Sequence, residues 1–184
     1  AAGGTLKELM GVYPDAASRP PFFVVDPLTY FPDQLSKVKH NLTSVGINAE
    51  SVTFWIGTTH TELPRVRASG QVFDFVFIDG DHRANPVMVD LQWADLVSVG
   101  GTICLHDNIP KFPGVGWAID RFLERNPNFT RIGHAHSLTI LRRIAEGPGT
   151  AVTRSDLSAA KWAQWKFKTK RSLNKRIGWP KAAS

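Results

Sequence analysis

The chain has 184 residues, of which 42% are hydrophobic and 21% charged; that is enough for one domain with a sizeable core and short for two ordinary ones. No apolar run approaches the roughly 18–20 residues of a membrane span, and a single cysteine, Cys104, excludes an internal disulfide and fits a reducing cytoplasm. The net charge of +6 is uneven, because residues 151–184 hold nine Lys or Arg against one Asp and leave residues 1–150 at −2; the slightly acidic body argues against nucleic acid as a partner.

In chain order, Ala1-Ala2-Gly3-Gly4 has the composition of the middle of a motif rather than of a natural start. Phe22–Val25 is the first of four short runs rich in β-branched and aromatic residues, and it ends at Asp26. A helix is expected over 33–45, after Pro32. The second run, Val52–Ile56, leads into Gly57-Thr58-Thr59-His60, and the third, Phe73–Ile78, into Asp79-Gly80-Asp81-His82. Residues 85–97 form a predicted helix with Pro86 in its first turn. The fourth run, Thr102–Leu105, contains Cys104 and leads into His106-Asp107-Asn108. A further helix is predicted over 116–125, stopping before Asn126-Pro127. Each run is continuous rather than alternating, the pattern of a strand buried on both faces of a parallel sheet.

The end of the sheet is different. Phe129–Ile132 and Leu138–Arg142 are separated by a short turn carrying His134 and His136, with no room for a helix, and so predict an antiparallel hairpin; both histidines read as turn residues. Gly147-Pro148-Gly149 marks the end of the sheet domain, and 155–177 predicts one or two basic helices. The expectation is a doubly wound, mostly parallel α/β domain over 1–146, followed by a basic helical extension over 147–184.

Ligands of an open parallel sheet bind beyond the carboxyl ends of its strands. Polar residues crowd those ends here. If the strands ending at Asp79 and Asp107 are neighbours, two carboxylates face one crevice, and Asn108 adds a neutral oxygen; this hard, all-oxygen set suits Mg²⁺ or a similar divalent cation. Asp81 and His106 are alternative ligands. His82, three residues after Asp79, is placed to act as a general base. Asp26 alone says less, since an Asp after a strand is commonly a turn former.

Together, Phe73-Asp-Phe-Val-Phe-Ile-Asp-Gly-Asp-His82, the acidic helix through Asp90, Val99-Gly100-Gly101 and Leu105-His-Asp-Asn108 resemble class I S-adenosylmethionine-dependent methyltransferases. The branch is that of macrocin-type sugar O-methyltransferases, with a metal-site layout similar to catechol O-methyltransferase. The resemblance covers about residues 1–143. It implies a seven-stranded Rossmann-like sheet ending in the hairpin, with the first strand and the acidic-glycine start of the first motif missing from this chain. It further implies S-adenosylmethionine contacts at Gly3 and Thr5, at Asp26 on the ribose hydroxyls, at Thr59 and His60 beside the adenine, and at Asp79. Asp79, Asp107 and Asn108 match the metal ligands, with the same 28-residue interval between the two acids, and His82 matches the base. The implied reaction is O-methylation of a sugar or glycan hydroxyl, with a catechol-type acceptor and a non-catalytic cofactor-binding scaffold as the alternatives.

In the tail, Lys161-Trp-Ala-Gln-Trp-Lys-Phe-Lys168 interleaves cations with aromatics. Such a segment suits a peripheral membrane surface or a glycan; the plainer expectation is an aromatic face docked on the domain or on a second subunit of a homo-oligomer.

Overall fold

The apolar runs of the sequence form strands in the computed structural model, which describes residues 3–13, 15–147 and 152–177, without the side chains of 171 and 173–177. Pro148 and Gly149 of the predicted breaker lie outside those residues. The elements, in order, are α1 (Gly4–Gly11), β1 (Phe22–Asp26), α2 (Gln34–Thr43), β2 (Val52–Ile56), α3 (Thr59–Ala68), β3 (Phe73–Ile78), α4 (Ala84–Asp90), β4 (Val97–Leu105), α5 (Pro113–Arg125), β5 (Phe129–Ala135), β6 (Leu138–Arg143) and α6 (Arg154–Ile177). They fall into two compact units, Ala1–Arg65 and Val66–Ser184.

In the first unit β1 and β2 pair in parallel, from Phe22 opposite Val52 to Asp26 opposite Ile56. Met10, Val38, Leu42, Ile47, Ala49 and Val52 form its core, with Leu6, Phe22, Val24 and Phe54 packed against them. Gly3 caps α1 at φ 79°, a left-handed conformation glycine adopts freely, and a Cβ there would sit 3.0 Å from Val38 Cγ1. The close approach of α1 to α2 therefore depends on Gly3.

The second unit holds a four-stranded sheet in the order β3-β4-β6-β5. β3 and β4 are parallel, whereas β6 runs antiparallel to β4 and to β5, so the predicted terminal hairpin is present. The single seven-stranded sheet is not: the described residues form one sheet of two strands and one of four, and no strand among them pairs with both β1 and β3. A sheet is one body only where backbone hydrogen bonds run across every neighbouring pair.

β4 is longer than the predicted Thr102–Leu105. Its register jumps between Phe73 opposite Val97 and Phe75 opposite Thr102, because the Gly100-Gly101 pair, with Gly100 at φ 87°, lets the strand bulge and then resume. The predicted helix over 85–97 starts as α4, tightens into a 3₁₀ segment at Leu91–Leu96, and gives Val97 to the strand.

Met88, Leu91, Ile103, Leu105, Ile119, Phe122 and Leu141 are nearly solvent-free at the centre of this unit's core. α6 is a single helix, and it joins that core through Ala160 and Ala163, with Leu157 and Phe167 packed alongside. Its start is a reciprocal cap. Thr153 N donates to Asp156 Oδ2 at 3.1 Å, and Asp156 N donates to Thr153 Oγ1 at 3.3 Å. The same carboxylate accepts from Arg121 Nε of α5 at 3.0 Å and is 2% exposed.

Burial pushes the Asp156 carboxyl up, but the Thr153 hydrogen bonds and the Arg121 guanidinium outweigh it and hold the group below the usual carboxylate range. A carboxyl depressed in the folded state contributes stability that is complete above its unfolded pKa of about 3.9 and is lost as the pH falls from there through the folded value. Asp156→Ala is expected to lower unfolding free energy by about 2–3 kcal/mol at neutral pH, through loss of both the cap and the ion pair. Urea titrations should show that deficit shrinking below about pH 3.9; a deficit that stays constant into strong acid would exclude the charged carboxylate as its source.

Candidate active site

The parallel register of β3 and β4 ends with Ile78 opposite Leu105, and His106 N donates to Ile78 O at 3.0 Å. The next residues, Asp79 and His106, therefore leave the sheet side by side. His106 Nδ1 lies 3.0 Å from Asp79 Oδ1 and 3.5 Å from Asp107 Oδ1.

One residue further, Asp107 takes φ 58°, a left-handed backbone that aspartate tolerates at some cost. The turn is tight: Ile109 N donates to Asp107 O at 2.9 Å, and Asn108 N donates to Ser137 O at 2.9 Å. Asp107 Oδ2 lies 3.1 Å from His82 Nε2, and Asp79 Oδ1 lies 4.0 Å from the same nitrogen. Two carboxylates from adjacent strands and two imidazoles thus share one cleft. A small pocket there is lined by Asp79, His82 and His106 together with Ile78, Leu105 and Val115.

His82 is held by its ring face, stacked on Phe112 at 4.4 Å between centroids. Its Nε2 is buried and, despite the 3.1 Å separation from Asp107, has no partner in line for a hydrogen bond. The separation is one of charge proximity, and the nitrogen keeps its hydrogen-bonding capacity for a third group.

Asp81 is engaged elsewhere. It accepts from Arg83 Nε at 2.7 and 2.9 Å, from Arg83 Nη2, and from the Arg83 backbone. Those bonds to Arg83 hold its carboxyl below the usual range, and partial burial opposes them. As an alternative metal ligand it would first have to leave this guanidinium.

Asn108 is tied to the hairpin: its Nδ2 donates to Thr139 Oγ1 at 2.8 Å, and Thr139 is completely buried. An amide NH₂ only donates, so the threonine hydroxyl proton is left for His134 Nδ1, 2.9 Å away. The Asn108 oxygen lies on the side of α5, 2.9 Å from the place of a Cβ on Gly116. Thr139 and His134 therefore orient Asn108, a role that the sequence reading of His134 as a turn residue did not include.

A second missed feature is the glycine at the start of α5. A Cβ on Gly114 would stand 2.5 Å from Ala84 N, 2.7 Å from His82 O and 2.9 Å from Arg83 C. All three are backbone atoms, so no side chain can yield. Gly114→Ala is expected to cost about 1–3 kcal/mol by overpacking and to displace the His82 loop. A denaturation midpoint and a turnover rate both equal to those of the parent would refute this.

Among the described residues no group of three His, Cys, Asp or Glu side chains is arranged to hold a metal ion. The two carboxylates face the imidazoles of the same cleft, Asp79 Oδ1 at 3.0 Å from His106 Nδ1 and Asp107 Oδ2 at 3.1 Å from His82 Nε2. In donor type, two carboxylates and an amide oxygen are the hard oxygen ligands a divalent cation takes.

The other predicted residues lie on the first unit. Asp26 and the Gly57–His60 segment share the carboxyl edge of its two-stranded parallel sheet. Asp26 Oδ1 accepts from Leu28 N at 2.6 Å, the turn-forming role expected of a lone Asp. Thr58 caps α3 with Thr61, which leaves Thr59 and His60 in the first helical turn with His60 exposed. Gly3 caps α1, and Thr5 is exposed in its first turn.

A family model described as a methyltransferase domain matches residues 11–108. The fold is similar to that of the TDP-rhamnose 3'-O-methyltransferase of calicheamicin biosynthesis, at 18% identity over 76% of this chain and 65% of that one, with a TM-score of 0.57. It is similar to the O-methyltransferase NovP at 19% identity, covering 78% of this chain and 69% of that one, with a TM-score of 0.64. The third is TomG from Streptomyces achromogenes, an O-methyltransferase involved in tomaymycin synthesis and solved in complex with S-adenosylmethionine, at 18% identity, 78% and 70% coverage and a TM-score of 0.57. The chain spans 65% of the length of the first of these structures, and at such identities the likeness is one of fold. No curated protein matches the sequence significantly.

Proposed function

Starting from a chain that belongs to the methyltransferase-domain family, we propose that it transfers the methyl group of S-adenosylmethionine to a hydroxyl of a sugar or glycoside, with help from a divalent cation and a histidine base. The observation that carries this reading is the meeting of Asp79, His82, His106 and Asp107 in one cleft at the ends of adjacent parallel strands. The methyltransferase domain is assigned to 1–146 and the extension to 147–184.

S-adenosylmethionine, when bound, supplies a methyl group already activated on a sulfonium. What the chain must add is alignment, which can supply on the order of 7–11 kcal/mol. Asp26 is assigned to the ribose hydroxyls, Thr59 and His60 to the adenine side, and Gly3 and Thr5 to the methionine side, with Asp79 as a further cofactor contact. Asp79, Asp107 and Asn108 would hold a divalent cation such as Mg²⁺, whose contribution when bound would be to make a substrate hydroxyl more acidic.

His82 receives the hydroxyl proton at Nε2, the buried nitrogen with no in-line partner. Phe112 fixes its ring, and the Asp107 carboxylate lies 3.1 Å from that nitrogen. Paired carboxylates beside a base suit an acceptor with two neighbouring oxygens, as in a vicinal diol. A sugar is preferred over a catechol because histidine in the base position resembles the sugar-modifying branch; that one structural relative is a TDP-rhamnose 3'-O-methyltransferase supports the same class.

Release of S-adenosylhomocysteine with nucleotide sugars and glycosides as acceptors tests the reading. Release is expected to require Mg²⁺ and to fall to background in excess chelator. Methyl transfer that continues undiminished in chelator removes the cation, and no release with any hydroxyl acceptor leaves a cofactor-binding scaffold.

A further inference from the structure

The outward face of α6 is unaccounted for by the methyl-transfer reading. The helix docks through Leu157, Ala160, Ala163 and Phe167, and Gln164 Oε1 accepts from Asn85 N at 3.3 Å. The expected docking of the aromatic residues is thus met by Phe167 alone. Trp162 and Trp165 point the other way and are 59% and 60% exposed.

Helical spacing sets Ser158, Trp162, Trp165 and Thr169 in one stripe. Exposed lysines flank it, Lys166 and Lys170 on one side and Lys161 and Lys168 on the other. Lys166 Nζ sits 3.3 Å from the centroid of the Trp162 ring. The one acid of the helix, Asp156, is buried against Arg121, so the outward face carries cations and no anion.

We propose that this face lies flat on an anionic lipid surface, with the two indoles in the headgroup layer and the flanking lysines on lipid phosphates. Indole is amphipathic and favours the boundary between hydrocarbon and water, while lysine stems reach sideways along apolar surface and keep the ammonium groups among anions. A row of aromatics between two rows of cations is the arrangement of a helix that rests in the interface plane. No helix among the described residues is long and apolar enough to cross a bilayer, which agrees with surface contact and not with insertion.

Other occupants fit less well. A two-fold contact between copies of this face would bring lysines against lysines. Single-stranded nucleic acid is bound in grooves that track its backbone, and the outer face of one helix is convex. A neutral glycan would stack on the tryptophans but leave the lysines without partners.

The experiment is co-sedimentation of the full chain with vesicles of phosphatidylcholine, with and without phosphatidylglycerol as about a third of the lipid. Binding is expected only to the anionic vesicles. It should fall about tenfold or more between 0.1 and 1 M salt, as the screening length drops from about 10 to about 3 Å. W162A/W165A and, separately, K161E/K166E should each weaken binding about tenfold. All four side chains are exposed, so the thermal melts of both variants should match the parent. The proposal is overturned by no binding to anionic vesicles at low salt, or by binding that W162A/W165A leaves intact. It is also overturned by tighter retention on single-stranded RNA or a neutral polysaccharide, or by a dimer that the same double variant dissociates.

Discussion

Asp107→Ala should lower turnover by about 10³-fold or more, at or beyond the loss typical of one preorganised electrostatic group, while S-adenosylhomocysteine still binds. Asp107 faces both imidazoles, 3.1 Å from His82 Nε2 and 3.5 Å from His106 Nδ1, and is the carboxylate nearer to His82. Its removal takes away half of the paired negative charge that would hold a cation, and the carboxylate nearest the proposed base. The cofactor contacts are assigned to other residues, so calorimetric titration with S-adenosylhomocysteine should give an affinity within a few fold of the parent. Alanine is also strained at φ 58°, by about 1–3 kcal/mol. Asp107→Asn is the companion variant because asparagine tolerates that backbone and matches aspartate in shape. Equal losses of turnover in both variants would assign the effect to charge. Turnover near the parental rate in Asp107→Asn would remove the carboxylate from the chemistry.

His82→Ala is expected to lower kcat by about 10²–10⁴-fold, the usual contribution of a positioned general base, with the Mg²⁺ concentration for half-maximal activity little changed. The two readouts separate a proton acceptor from a metal ligand. A ligand would move the Mg²⁺ dependence; a base would not. Added imidazole should restore part of the rate, because the variant leaves a space against the Phe112 ring where His82 stacks at 4.4 Å. An unchanged kcat, or a loss confined to Mg²⁺ affinity, would end the base assignment.

The strands and the acids at their ends were legible because a buried parallel strand must be continuously apolar, and because the first polar residue after it must lie at the sheet edge. Phe73–Ile78 followed by Asp79 was found this way, although Asp74 interrupts the run and the strand is not buried on both faces, Phe75 being 45% exposed. Helices without that contrast were not legible. α3 carries Pro64 inside a stretch of mostly polar residues, which reads as a loop, and α1 is a single short helix bounded by Gly4 and Gly11. Val97 was assigned to the end of a helix and the strand was started only at Thr102; the pairing of Val97 with Phe73 draws it into the sheet.

Within the site, the residue types were readable and their supports were not. Nothing local to Thr139 announces that its hydroxyl holds Asn108 from 31 positions away, and nothing local to Gly114 announces the backbone of His82 and Ala84 against it. Both are consequences of tertiary approach. Arg83, by contrast, follows Asp81 by two residues, and its capture of that carboxylate was open to a reading that weighed nearby opposite charges.

The left-handed backbone at Asp107 sets two selective pressures against each other. Glycine is the residue best suited to that torsion, so a library sorted only for heat resistance should enrich Asp107→Gly, and each such clone would be a sturdier protein with an idle cleft. Engineering this scaffold for endurance would therefore begin by holding position 107 fixed.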